Sequence, residues 1–364
     1  MDYGLFMMPL HPPERIVADA YDDDVATLVA ADRLGYAEAW IGEHFTSTWE
    51  NIPCPDLFIA KTAALTEHIR LGIGVVLMPF HNPLEVALRT AMLDQMTRGR
   101  FMLGVGSGGI GGDRRAFGIE LSGPEAAALT REGIDVIVKA WAGEPFEHHG
   151  KFFNFDVPRA DPALSTGVLL RPYQNPHPPV AIAGVSRSSA GLQMAGERGW
   201  IPMSTNFLRP DVLRYHWEAI EAGAKRALRA PPRNQWRIAR EIYVAETHEE
   251  AVRDARDGAM GRAFRDYMFP LNAAGPTGLE AFQPADSHLA NESITVDYLL
   301  EHTWIVGTPD ECAQKLRALY KTVGGFGTVL MICHDWHPRV DRWTRSLELF
   351  AEKVMPQLAD LKVA

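Results

Sequence analysis

Short apolar runs alternate with longer amphipathic stretches along most of the chain. Tyr3–Met8 is a mostly apolar run of strand length, and Asp22–Leu34 has helical spacing that stops at Gly35. Glu38–Ile41 predicts a second strand, Asp56–Thr66 a second helix and Leu71–Leu77 a third strand. Asn82-Pro83 opens a helix that runs to Met96, since proline's missing N–H costs nothing at the first helical position. Arg100–Val105 predicts the fourth strand. Ser122-Gly123-Pro124-Glu125 starts the next helix, and its stripe of Leu129, Ile134, Ile137, Val138 and Trp141 keeps the helical period. The pattern lapses over 143–178, where Glu147–Phe155 predicts a surface hairpin, and then resumes. Pro179–Ala183, Trp200–Met203, Ile238–Ala245 and Thr328–Cys333 predict four more strands. Helices are predicted over Ser186–Arg198, Pro210–Ala227, Pro309 to about Gly324, and Arg345–Leu361. The stretch 258–300 reads as irregular, its Phe264, Tyr267, Met268, Phe269 and Phe282 covering either a pocket or a subunit interface.

Eight strand-like runs, apolar on both faces and interleaved with helices, predict a parallel sheet closed as an α/β (β/α)8 TIM barrel. One domain over 1–364 is the simplest arrangement, with insertions at about 107–123, 143–178 and 258–300.

Composition narrows the partners. The chain has 364 residues, 46% hydrophobic and 23% charged, which is an ordinary globular balance. A net charge of −10 with no dense Lys/Arg block argues against nucleic acid. Cys54, Cys312 and Cys333 are too scattered for a disulfide framework or a metal-binding pair, so a reducing cytoplasm is the expected compartment. Asp2-Tyr3 leads straight into Gly4-Leu5-Phe6-Met7-Met8, a first strand and not a leader peptide. No apolar run approaches the ~20 residues of a membrane span, so no membrane partner is expected.

Catalytic groups of such a barrel sit where strands end and loops begin. Those ends are Met8-Pro9, Glu43-His44, Leu77-Met78-Pro79, Gly104-Val105-Gly106-Ser107-Gly108, Ala183-Gly184-Val185-Ser186 and His334-Asp335-Trp336. His44 reads as a general base, a donor to an oxyanion, or a structural loop histidine. Glu43 reads as the group that orients His44, as a ligand contact, or as the partner of a buried arginine. The glycines from Gly104 to Gly112 make either a mobile loop or a flat wall for an aromatic ring. No acidic residue completes a dinucleotide fingerprint there. Gly184-Val185-Ser186-Arg187-Ser188-Ser189 suits a phosphate at a helix N-terminus, with Arg187 adding charge, or else a plain cap by Ser186. His148 and His149 belong to the hairpin, and His334 and His337 line a pocket or pack. No HxH pair stands on the first strand, and no metal is expected.

These residues, in order, resemble the bacterial luciferase-like flavin monooxygenases. The matches are Pro12-Pro13, Gly35-Tyr36 before Trp40, Glu43-His44-Phe45, Gly72-Ile73-Gly74-Val75, Leu93-Asp94-Gln95-Met96 and Gly99-Arg100-Phe101. Trp49-Glu50-Asn51-Ile52-Pro53, Gly324-Gly325-Phe326-Gly327 and His334-Asp335-Trp336 are similar to the limonene and diketocamphane monooxygenase types. The resemblance implies reduced FMN (FMNH2) stacked on a non-proline cis peptide at Gly74–Val75, beside Gly104, Gly106 and Ser107. It implies the phosphate on Gly184, Val185, Ser186, Arg187 and Ser188, with His44 and Glu43 as the catalytic pair. Met8, Phe45, Asn51, Met78 and Trp336 would then face the substrate. Phe45 replaces the second histidine of luciferases proper, and Gly106 stands at the place of their reactive cysteine, so light emission is not implied.

The activity so implied is a two-component monooxygenase. A separate NAD(P)H-dependent reductase supplies FMNH2. With O2 the flavin forms a C4a-(hydro)peroxide that oxygenates a small hydrophobic terpenoid or cyclic ketone-like molecule. A homodimer is also implied. Two alternatives stay open: an F420-dependent oxidoreductase on the same barrel, and a flavin-binding protein without catalysis.

Overall fold

Strands form where the apolar runs lie. The computed structural model describes residues 1–8, 10–275 and 277–363. Pro9 of the Met8-Pro9 strand end falls outside them. The strands are β1 (Asp2–Met7), β2 (Glu38–Ile41), β3 (Arg70–Leu77), β4 (Phe101–Gly106), β5 (Phe146–His149), β6 (Asn154–Val157), β7 (Val180–Gly184), β8 (Ile201–Ser204), β9 (Arg237–Arg240), β10 (Ile242–Val244), β11 (Ile305–Gly307) and β12 (Thr328–Ile332). Eight of them close a parallel barrel in the order β1-β12-β9-β8-β7-β4-β3-β2. These are the eight runs expected from the sequence. β5 and β6 pair antiparallel as the predicted hairpin, and β10 pairs with β11.

The barrel interior is packed with large side chains. Trp40 of β2 lies flat across to β3, where a Cβ on Gly72 would stand 2.4 Å from the indole. At the N-terminal end, Glu38 of β2 takes a bidentate contact from Arg237 of β9, at 3.0 and 2.9 Å, and a bond from the Trp40 indole N–H at 2.9 Å. Every polar atom of that carboxylate has a partner, which is what a buried charge requires.

Helix starts follow capping chemistry. Asn82 accepts from the N–H groups of Leu84 and Glu85, and Ser122 and Thr308 each form a reciprocal capping box with the glutamate three residues on. The helix expected from Ser186 begins at Ala190 instead. Its cap is Ser189, whose hydroxyl accepts from Leu192 N–H, while the Ser186 hydroxyl turns to the Ser188 carbonyl. The expected strand Ile238–Ala245 breaks at Glu241: β9 stays in the barrel and β10 leaves to join β11, a strand the sequence reading missed. The insertion at 258–300 is helical in its first part, over Ala259–Ala263, Phe264–Met268 and Phe269–Ala273, because Gly258 permits a fresh start and no proline interrupts until Pro270. The last helix starts at Val340, five residues before Arg345, and ends in a wider and then a tighter turn up to Leu358. No helix among the described residues is long and apolar enough to cross a membrane.

Candidate active site at the C-terminal barrel mouth

Past the end of β2 the chain turns sharply, and His44 projects between two carboxylates. Its Nδ1 stands 3.4 Å from Asp113 Oδ2 and its Nε2 3.8 Å from Glu50 Oε1. The imidazole side chain is 14% exposed, while the two acids are 0% and 3% exposed. Asp113 is fixed on the helix Gly111–Ala116, and its Oδ1 accepts from Thr46 N–H at 2.8 Å and Thr46 hydroxyl at 2.6 Å. Burial works to lower the His44 pKa, but Glu50 and Asp113 outweigh it and hold it above the usual imidazole value. Burial likewise works to raise Asp113, and the bonds from His44 and Thr46 hold it below its usual range.

Glu43 does not orient His44. Its carboxylate accepts from Leu77 N–H at 2.7 Å and from His81 Nε2 at 3.0 Å, and Arg89 stands 3.3 Å from the other ring nitrogen of His81. It ties the end of β2 to the end of β3 and reaches an arginine only through His81. The orienting part expected of Glu43 falls to Asp113 and Glu50, neither of which was singled out. Asp113 was hidden directly behind the glycines after β4, where it is the sole acid from Gly104 to Ile119.

The Gly74–Val75 bond is cis, and Val75 is part-exposed at the mouth. The glycines of β4 do not themselves form a flat wall. A Cβ on Gly106 would stand 2.5 Å from Val75 Cγ2, and one on Gly104 would stand 2.4 Å from the Ile73 carbonyl. Their missing side chains admit Val75, and Val75 presents the surface. Ser107 follows, half-buried.

Two strands along from β3, on the far side of β4, the loop 185–189 that follows β7 is open. Val185, Ser186, Arg187 and Ser188 are exposed. Among the described residues, the backbone N–H groups of Ser186, Arg187 and Ser188 meet no protein acceptor. Gly184 serves packing, for a Cβ there would strike Leu192. Arg187 lies over the Tyr215 ring at 4.2 Å. His216, which the sequence reading passed over, donates from Nε2 to the Ser186 carbonyl at 2.7 Å and accepts from Ser204 at 2.8 Å. Burial pushes its pKa down to about 4, so the ring is neutral and holds the loop as a fixed donor. Unpaired N–H groups, the Ser188 hydroxyl and one guanidinium make a cradle that fits a phosphate. With Val75 two strands away, across β4, these residues fit a phosphorylated planar cofactor.

The expected substrate residues divide. Met8 lies against Gly42 at the mouth, where a glycine Cβ would stand 2.7 Å from its sulfur. Phe45 is half-buried in a cluster with Phe80 and Phe117, at 5.2 and 4.8 Å between centroids. Met78 is a correction: it is fully buried and turned outward against Gly133 of the helix Gly123–Ala142. Trp336 is another, stacked at 4.4 Å on Tyr243 and parallel to Trp343 in the outer packing layer. Asn51 is a third, because its side-chain oxygen is held 2.8 Å from buried His11. The mouth instead receives His334, whose Nε2 is 2.5 Å from Glu241 Oε2, with Asn206 donating to the other oxygen at 2.6 Å. The position of His334 just beyond the last strand was the signal for it. Among the described residues, no cluster of three His, Cys, Asp or Glu could hold a metal ion.

Comparison with known proteins gives the following. Residues 1–325 match the family profile described as Luciferase-like monooxygenase. A 2,5-diketocamphane 1,2-monooxygenase of Pseudomonas putida is 31% identical over 362 residues, covering 98% of this chain and 99% of that one. Limonene 1,2-monooxygenase of Rhodococcus erythropolis is 30% identical over 359 residues, covering 98% of this chain and 86% of that one. The solved oxygenating constituent of 3,6-diketocamphane monooxygenase from Pseudomonas putida, a type II Baeyer-Villiger monooxygenase in complex with FMN, superposes with a TM-score of 0.91. It is 30% identical and covers 98% of each chain.

Proposed function

The chain belongs to the luciferase-like monooxygenases, and from that premise we propose that it oxygenates a small hydrophobic cyclic ketone or terpenoid with O2 and reduced FMN. A separate NAD(P)H-dependent flavin reductase supplies the FMNH2. The observation that carries this reading is the likeness over 98% of both chains to a Baeyer-Villiger oxygenating constituent solved with FMN. That relative is the oxygenating constituent of its enzyme, which supports a separate reductase.

When bound, reduced FMN supplies the activation of O2 at its C4a position. The chain's own groups do the rest. The loop 185–189 holds the phosphate through N–H groups and Arg187. Val75 supports the ring. His44, whose pKa Glu50 and Asp113 raise, offers a hydrogen bond from Nε2 to developing negative charge on oxygen. Met8, Val75 and the Phe45–Phe80–Phe117 cluster give the C-terminal end of the barrel apolar surface, and a bound hydrophobic substrate would displace water from it, which favours oxygen transfer over release of hydrogen peroxide. Balanced, the reaction is ketone plus O2, two electrons and two protons giving lactone plus water.

The test is a coupled assay with a flavin reductase, NADH, FMN and a panel of bicyclic ketones and monoterpenes under 18O2. One 18O atom in the product is expected. NADH consumption with all oxygen returned as hydrogen peroxide, for every substrate in the panel, would overturn the reading.

A further inference from the structure

The helical insertion is fastened to the histidine loop by one side chain. Tyr267, on the turn Phe264–Met268, donates to Glu50 Oε2 at 2.5 Å and accepts from the Ser47 hydroxyl at 2.9 Å. Its ring stacks on Trp49, with centroids 5.6 Å apart and planes 10° apart. Ser47 in turn accepts from the N–H groups of Trp49 and Glu50, so the loop 47–50 is wound around one hydroxyl. The other oxygen of Glu50 is the one facing His44 Nε2. Among the described residues, Tyr267 is the sole hydrogen-bond donor to Glu50.

We propose that Glu50 and Tyr267 are positioning residues, through which the 258–300 insertion fixes the proton on His44 Nε2 when it is seated on the mouth. Two elements thus act on one imidazole from opposite sides. Asp113 comes from the β4 loop and is present whatever the insertion does. Glu50 faces His44 only while Tyr267 holds it buried. Without that bond the carboxylate lacks a neutral donor, turns to water, and its attraction for the imidazolium is screened. The remaining charge facing His44 is Glu43, already paired with His81. Arg262 on the same insertion stands over Trp49 but is occupied by Glu14 and Asp266, and does not oppose the imidazolium. The direction of the His44 shift agrees, since Glu50 is the largest influence that raises it.

The catalytic meaning of this unit rests on the monooxygenase reading, but its test does not. The full chain, labelled at histidine Cε1, is titrated by NMR without flavin or substrate, and His44 is identified among the 13 histidines by its loss in His44→Gln. Glu50→Gln is expected to lower the His44 pKa by roughly one unit, and Asp113→Asn by a comparable amount. Tyr267→Phe is expected to lower it in the same direction by less, with faster amide exchange over 259–273. An unchanged His44 pKa in Glu50→Gln, or an unchanged or raised one in Tyr267→Phe, would overturn the proposal. If the pKa falls as stated while the unsubstituted enzyme in the coupled assay returns all oxygen as hydrogen peroxide for every substrate, the unit stands and the monooxygenase reading is what fails.

Discussion

The two ends of the barrel bury acids in opposite ways. At the N-terminal end, Glu38 meets a permanently charged arginine through two hydrogen bonds and an indole N–H through a third. At the C-terminal end, Glu50, Asp113 and Glu241 face histidines, at 3.8, 3.4 and 2.5 Å. There, His334 Nδ1 and two nitrogens of Arg240 are buried without a partner among the described residues. An Arg–Glu pair does not change charge across physiological pH, whereas a His–carboxylate pair does. One end is closed electrostatically and holds the staves together. The other sets its acids against histidines and is incompletely bonded, as a site that must receive a ligand would be.

The largest expected effect separates the ends by activity. His44→Ala should lower oxygenated product by about 10²- to 10⁴-fold, the usual contribution of a positioned proton donor. FMN binding and the thermal midpoint should hardly move. Product formation equal to the unsubstituted enzyme would remove His44 from the chemistry. Arg237→Ala should do the reverse, destabilising the fold by about 3–5 kcal/mol in urea denaturation, because it strands Glu38. Its pH dependence sharpens the contrast. Burial alone would raise the Glu38 pKa, but Arg237 and Trp40 hold it below the usual 4.5. The pair's stabilisation is therefore complete above about pH 4.5 and fades as pH falls through the lower folded value. In Arg237→Ala the unpartnered carboxyl has a raised pKa, so that variant should lose stability as pH rises from 4 to 6. The same slope in both proteins would show that Glu38 and Arg237 are not coupled.

The closed end and the open end were unequally legible in the sequence. The strands could be read because each needs apolar residues on both faces, so β2 and β12 stood out as runs without reference to anything distant. Glu38 and Arg237 lie 199 positions apart, and nothing local in either strand announces the pair. Two of the expected positions do lie just past strand ends, His44 after β2 and the 185–189 loop after β7, whereas Val75, expected only from the family resemblance, lies inside β3. Asp113 and His216 were missed, and Glu50 and Tyr267 were named without the contacts they make, because each acts on a segment distant along the chain. Glu43 was misassigned for the same reason, since adjacency to His44 along the chain gives no contact with it when successive side chains point apart. Met78 and Trp336 follow strand ends but turn outward, one under a helix and one into an aromatic stack.

The smallest expected effect concerns Arg187, the one charged side chain on the open loop. It is exposed, and its guanidinium already rests on Tyr215, so water and salt weaken whatever it adds to an anion. The backbone N–H groups of 186–188 and the Ser188 hydroxyl would carry most of the phosphate contact, and they remain in Arg187→Ala. FMN affinity should then fall by only about tenfold, near the lower limit for a charge-assisted bond. Riboflavin, which lacks the phosphate, should bind both proteins alike. The informative quantity is the ratio of riboflavin to FMN dissociation constants, measured by flavin fluorescence at two salt concentrations. A ratio that drops in the variant, and drops less at high salt, places the phosphate beside Arg187. Equal losses for both flavins would mean that Arg187 holds the loop through Tyr215 rather than the anion, and the cradle would have to be sought elsewhere on the mouth.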